Sequence, residues 1–118
     1  MGIKKFTEKF TKPIDEQDRE RLVEWSAEQG GTPLDGLQPR QPVRVAGEVR
    51  SVRIVPRAGA ASLEATVHDG RGAVTAVFLG RRKIPGLSPG RRVLLEGVVC
   101  GHAGPKQGLI YNPVYQLL

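Results

Sequence analysis

Among its 118 residues the chain has one cysteine, Cys100. An internal disulfide is therefore excluded, and no CxxC pair or Cys/His set is present for structural zinc. That usage fits a reducing compartment, so the expectation is a cytoplasmic protein with no metal or other cofactor. Long apolar runs are also missing. No stretch approaches the roughly 20 residues that a membrane span needs, and GIKKFTEKFTK after Met1 lacks the apolar centre of a signal peptide, so no membrane partner is expected. Catalytic patterns are absent as well: there is no G-x-S-x-G, P-loop or H-E-x-x-H, and the carboxylates show no paired spacing. Assembling His68, Asp69, Cys100 and His102 into a site would require assumed proximity, so an enzyme is not expected.

Acidic residues are scarce in one part of the chain only. Residues 1 to 36 carry six Lys/Arg against eight Asp/Glu, whereas residues 37 to 118 carry twelve against four. The basic character of the protein, with a net charge of +6, belongs to the second part and points to anionic partners. With 39% apolar and 25% charged residues, the composition is that of one globular domain with a single core.

The clearest local signal is Leu63 to Gly80, LEATVHDGRGAVTAVFLG. Asp69-Gly70-Arg71-Gly72 supplies turn residues that tolerate positive φ, and the flanks are rich in β-formers, which predicts a hairpin. Opposing Asp69 and Gly72 pairs Val67 with Val74, Ala65 with Ala76 and Leu63 with Phe78 on one apolar face. The other face pairs His68 with Ala73, Thr66 with Thr75 and Glu64 with Val77, the mixed surface of a half-buried sheet.

Elsewhere the pattern predicts a short basic tail, then a helix from Asp15 to Gln29 stopped by Gly30-Gly31. Its glutamates Glu16, Glu20, Glu24 and Glu28 recur every four residues. They read as a solvated face, with the alternative that the stripe lies against the basic body and competes with an anionic ligand. Gly30 to Pro42 reads as a linker. Residues 1–36 thus form tail, acidic helix and linker, and 37–118 form the compact domain.

Val43 to Val55 alternates on 43, 45 and 49, then shifts parity to 52 and 54, which predicts a β-bulge in a corner-turning first strand. Pro56 to Ala61 is a connector, Arg81 to Gly90 a turn-rich loop and Arg91 to Gly101 a fourth strand. Gly101 to Gly108 is a flexible loop, and Leu109 to Leu118 is a closing strand in which Pro113 requires an edge, end or bulge.

This arrangement predicts an all-β fold, a five-stranded OB-fold Greek-key barrel with an N-terminal α-helical extension. VRVAGEVRSVRIVP, the D-G-x-G turn, LSPGRRVLLEGVV and the N-P before Tyr115 resemble the OB-fold domains of the anticodon-binding and RecG-wedge type. The resemblance covers Val43 to Leu118. It implies a DNA- or RNA-binding module whose ligand lies on strands two and three and the flanking loops.

Candidate binding residues on that plan are Arg50, Arg53, Arg57, Thr66, His68, Arg71, Thr75, Arg81, Arg82, Lys83 and Lys106, acting mainly through phosphates. Phe78 is expected in the core, which leaves the hairpin's outer face without an aromatic platform. The alternative is a protein-interaction module using Val77, Leu79, Leu94 and Val98 as an apolar patch.

Overall fold

A computed structural model of the chain describes residues 14–104 and 107–118. The expected basic tail and Lys106 lie outside these described residues. The fold is mostly β, with one helix, α1 (Ile14–Glu28), and strands β1 (Pro42–Arg57), β2 (Ala60–His68), β3 (Ala73–Leu79), β4 (Arg92–Val98), β5 (His102–Gly104), β6 (Gln107–Tyr111) and β7 (Val114–Leu117). They form one sheet in the order β5-β6-β3-β2-β1-β4-β7.

The β2–β3 hairpin has the register set by its turn, with Leu63 opposite Phe78, Ala65 opposite Ala76 and Val67 opposite Val74. β1 bends as its parity shift requires. Pro42 to Glu48 pair with β4, Glu48 to Arg57 pair with β2, and the register slips between Val49 and Ser51, leaving Arg50 as the extra residue. Gly47 permits the bend: a Cβ there would lie 2.5 Å from the His68 carbonyl oxygen and 2.8 Å from Val67 Cγ1.

Three expectations change. The five expected strands become seven, in an open hydrogen-bonded order with β5 and β7 outermost. The expected closing strand is divided by Asn112 and Pro113. Its first half runs parallel to β3, its second half antiparallel to β4, and part of the loop before it pairs as β5. The Pro56–Ala61 connector is absorbed into an extended hairpin whose turn is only Ala58-Gly59, because β1 keeps pairing through Arg57 opposite Ala60.

The segment read as a linker is packed onto the sheet. Thr32 N–H donates to the Arg44 carbonyl (2.8 Å), Arg44 N–H returns a bond to Thr32 Oγ1 (3.1 Å), and Leu34, 1% exposed, joins the core. Its anchor is Asp69, whose Oδ2 accepts the Leu34 N–H at 3.0 Å. Helix α1 ends before this segment in a Schellman arrangement, with Gly31 N–H bonded to the Ser26 carbonyl, Gly30 N–H to that of Ala27, and Gly30 at φ 71. Leu22 and Ser26 are buried, whereas Glu16, Glu20, Glu24 and Glu28 are all exposed, as a solvated face requires.

One core cluster joins Val45, Val49, Val67, Val74, Val93, Leu95 and Ile110, with Ile84 and Leu87 contributed by the β3–β4 connector. Phe78 is buried as expected and meets Tyr115 edge-on at 5.6 Å. No described helix is long and apolar enough to cross a membrane.

Candidate nucleic-acid interface

The outer parity of β2 and β3 continues onto β1 and β6, because β6 lies parallel to β3 with Leu109 opposite Thr75 and Tyr111 opposite Val77. Successive rows across the four strands are therefore Arg53, Glu64, Val77 and Tyr111, and then Ser51, Thr66, Thr75 and Leu109. His68 and Ala73 begin the next row. Instead of the mixed, half-exposed surface expected, much of this face is closed: Glu64, Thr75 and Val77 are buried. The apolar patch is reduced in the same way, since Val77 and Leu94 are buried and only Leu79 and Val98 are exposed.

At the β1–β2 end, the buried Glu64 carboxylate organises two arginines. Arg57 donates through Nε at 2.9 Å and lies 2.8 Å away through Nη2, and Arg53 Nη2 lies 3.5 Å from the other oxygen. Arg57 also lies over the Tyr111 ring, 5.8 Å from its centre, and donates to its hydroxyl at 3.4 Å. The hydrogen bond to Glu64 raises the Arg57 pKa above its ordinary value, so its charge is permanent. Arg81, Arg82 and Lys83 follow β3 at the same end of the hairpin and are exposed.

Thr66 is half-buried in the middle of the face, and Thr75 is turned toward β6, its hydroxyl donating to Gln107 Oε1 at 3.4 Å. At the β2–β3 turn the face opens into a cleft of ≈ 910 Å³. Arg50, His68 and Arg71 meet there. They are joined by Arg92 and by Arg19 and Arg21 of α1, with Asp18 and Glu48 as the carboxylates. Arg92 Cζ lies 4.7 Å from the centre of the Trp25 ring, and its Nε is 4.0 Å from Glu48 Oε2. Burial, followed by the nearby Arg50 charge, lowers the His68 pKa; Glu48 and Asp69 oppose that shift. His68 is accordingly neutral at pH 7.

The turn itself is clamped. Asp69, 2% exposed, accepts N–H bonds from Arg71 (2.8 Å) and Gly72 (2.9 Å) on Oδ1 in addition to the Leu34 bond on Oδ2. A Cβ on Gly70 would sit 2.6 Å from Val23 Cγ2, and one on Gly72 would sit 2.6 Å from the Leu34 carbonyl oxygen. The glycines that shape the turn also let α1 and the following arm lie against it.

The expected residues thus fall into a paired group near Glu64 (Arg53, Arg57), a loop group (Arg81, Arg82, Lys83), a central pair (Thr66, Thr75) and a cleft group (Arg50, His68, Arg71). Sequence reasoning missed Tyr111, Arg19, Arg21 and Arg92 as members of this surface. Tyr111 joins it through a parallel pairing across more than thirty residues, and Arg19 and Arg21 stand in a helix whose prevailing charge is negative. Among the described residues, no group of three His, Cys, Asp or Glu side chains is placed to hold a metal ion. No family model, curated protein or solved structure matches this chain.

Proposed function

We propose that the chain is a non-enzymatic nucleic-acid-binding module of OB type, holding an extended single strand mainly by its phosphates along the outer face of β1, β2, β3 and β6. The connectivity supports the barrel. β1 is shared between β2 and β4, and β6 and β7 are one stretch of chain running from β3 to β4. A Cβ at Gly97 of β4 would meet Ile110 Cγ2 at 2.7 Å and Pro113 Cβ at 3.6 Å, so β4 and this bent strand touch across the remaining gap. Closure through such a bent strand gives the five-strand plan, with β6 and β7 counted as one.

The observation that carries the functional reading is the gathering of five arginines against two carboxylates at one end of this face, beside a neutral Thr66–Thr75–Gln107 strip. Guanidinium groups match phosphate geometry, and the strip, whose Thr66 and Gln107 are half-buried while Thr75 is bonded to Gln107, carries no charge to repel a backbone. Tyr111, 37% exposed, is the aromatic on the same face and offers a site for one stacked base.

Fluorescence anisotropy with labelled single- and double-stranded oligonucleotides tests the reading. Single strands should bind more tightly, with affinity falling about 50-fold between about 50 and 200 mM salt, the loss expected of roughly four phosphate contacts. No binding at the lower salt overturns it.

A further inference from the structure

We propose that the cleft between α1 and the β2–β3 turn is a site for adjacent phosphate groups, and that α1 is one wall of this site. The inference rests on the nucleic-acid reading for the macromolecular source of the phosphates, but its chemistry stands on the cleft alone. Helix α1 contributes both of its arginines to the cleft but only one of its carboxylates: Arg19, Arg21 and Asp18 line it with Arg50, Arg71 and Arg92. Five arginines less Asp18 and Glu48 leave a net of three positive charges, because His68 is neutral. A single phosphate monoester, at about −1.5 to −2, leaves that charge short; a pyrophosphate comes closer, and a nucleic-acid backbone, with one charge per phosphate, matches it with a run of about three consecutive phosphates.

The wall is in place before any ligand arrives. Val23 and the Arg19 carbonyl pack against Gly70, where a Cβ would lie 2.6 and 2.8 Å from them, and Leu22 is 3% exposed. Trp25 stacks beneath Arg92, which itself lines the cleft. An anion entering the cleft therefore meets a helix already docked and an Arg92 already held over Trp25, so neither has to be ordered on binding. Trp25 is the only tryptophan in the chain, and its neighbour Arg92 is part of the site, so its emission reports occupancy.

The test uses the full chain with two probes: an oligothymidylate of about twelve nucleotides, within the footprint of one OB barrel, and inorganic pyrophosphate. Trp25 emission is followed for the wild type, for Arg19→Glu/Arg21→Glu and for Arg19→Lys/Arg21→Lys, with oligonucleotide anisotropy measured in parallel. The expected result is a change in Trp25 emission with each probe and competition of pyrophosphate with the oligonucleotide. The double reversal should weaken both by about tenfold or more and flatten the salt slope by about 1.4, whereas the lysine pair retains most of the affinity.

If the oligonucleotide binds wild type and double reversal with equal affinity and equal salt slope, the cleft site is overturned while nucleic-acid binding survives. If no oligonucleotide binds but pyrophosphate changes Trp25 emission in an Arg19- and Arg21-dependent way, the cleft stands and its nucleic-acid source falls. Absence of both responses removes both inferences.

Discussion

β2 is bounded by two tight turns with opposite surroundings. The β1–β2 turn, Ala58-Gly59, is exposed: nothing lies within 4 Å of a Cβ built on Gly59, and Ala58 holds a left-handed φ of 50. The β2–β3 turn is enclosed, with its Asp69 carboxylate 2% exposed and its glycines beneath Val23 and Leu34. Charge follows the same division. Near the free turn Arg53 and Arg57 share the buried Glu64 carboxylate while Arg81, Arg82 and Lys83 stand exposed, whereas at the clamped turn five arginines line one cleft with Asp18 and Glu48. A count of cations along the sequence therefore overstates what Arg53 and Arg57 offer a ligand and understates what the clamped end offers.

The clamped turn is the place where a single change costs most. Asp69→Ala removes one buried carboxylate that receives three backbone N–H bonds, leaving the Leu34 amide without its partner. The expected loss is about 3 kcal/mol of unfolding free energy, measured by denaturant titration, since bonds to a charged acceptor contribute about 1.5–3 kcal/mol each and are not additive. A loss below about 1 kcal/mol would show that the turn is no more restrained than its counterpart.

Binding separates the two ends next. Arg50→Glu with Arg71→Glu should lower single-strand affinity by about 30-fold, and Arg53→Glu by about threefold or less, because Arg53 already faces a carboxylate. Equal losses from the two would break the contrast. Glu64→Gln sharpens it from the other side: releasing Arg53 and Arg57 should raise affinity by about fivefold and steepen the salt dependence.

A smaller, pH-dependent effect belongs to the clamped end alone. The His68 pKa lies below its ordinary value of 6.5 when folded, so the unfolded chain takes up a proton first as pH falls. The His68 contribution to stability is present above 6.5 and is lost as pH drops from there toward the lower folded value. His68→Gln should flatten that acid-side loss in melts taken across the window. An unchanged slope would remove His68 as its cause. A bound phosphate opposes the shift, so oligonucleotide affinity should rise as pH falls below 6.5.

How much of this was legible depended on how far apart the partners are in the chain. The β2–β3 register followed from Asp69 and Gly72 and the apolar alternation beside them, and the bulge at Arg50 followed from the parity change after Val49. Both signals are local. Leu34 in the core was hidden, because its burial depends on a carboxylate 35 residues away and its surroundings are rich in glycine and proline. Tyr111 reached the outer face through its pairing with Val77, which no short-range pattern encodes. Arg92 was hidden in the same way, because its stacking on Trp25 requires α1 to dock, and the apolar residues of α1 after Asp15, Leu22, Val23, Trp25 and Ala27, make only a short contact patch.

The smallest expected effect lies at the free turn, where the sequence departs from what the backbone wants. A two-residue hairpin turn with positive φ at both positions favours Asn-Gly, and here the first position is Ala58 at φ 50, followed by Gly59 at φ 80. Left-handed φ costs an L-residue roughly 1–2 kcal/mol, less for Asn, whose side chain bonds locally to its own backbone. Ala58→Asn should therefore add about 0.5–1 kcal/mol of stability, read as a rise of a few degrees in the melting temperature, without altering oligonucleotide affinity. Ala58→Gly should gain less, because glycine relieves the same strain but gives the unfolded chain more freedom to lose. If both substitutions destabilise, the β1–β2 turn is held by contacts of its own, and the contrast between the two ends of β2 fails at its exposed end.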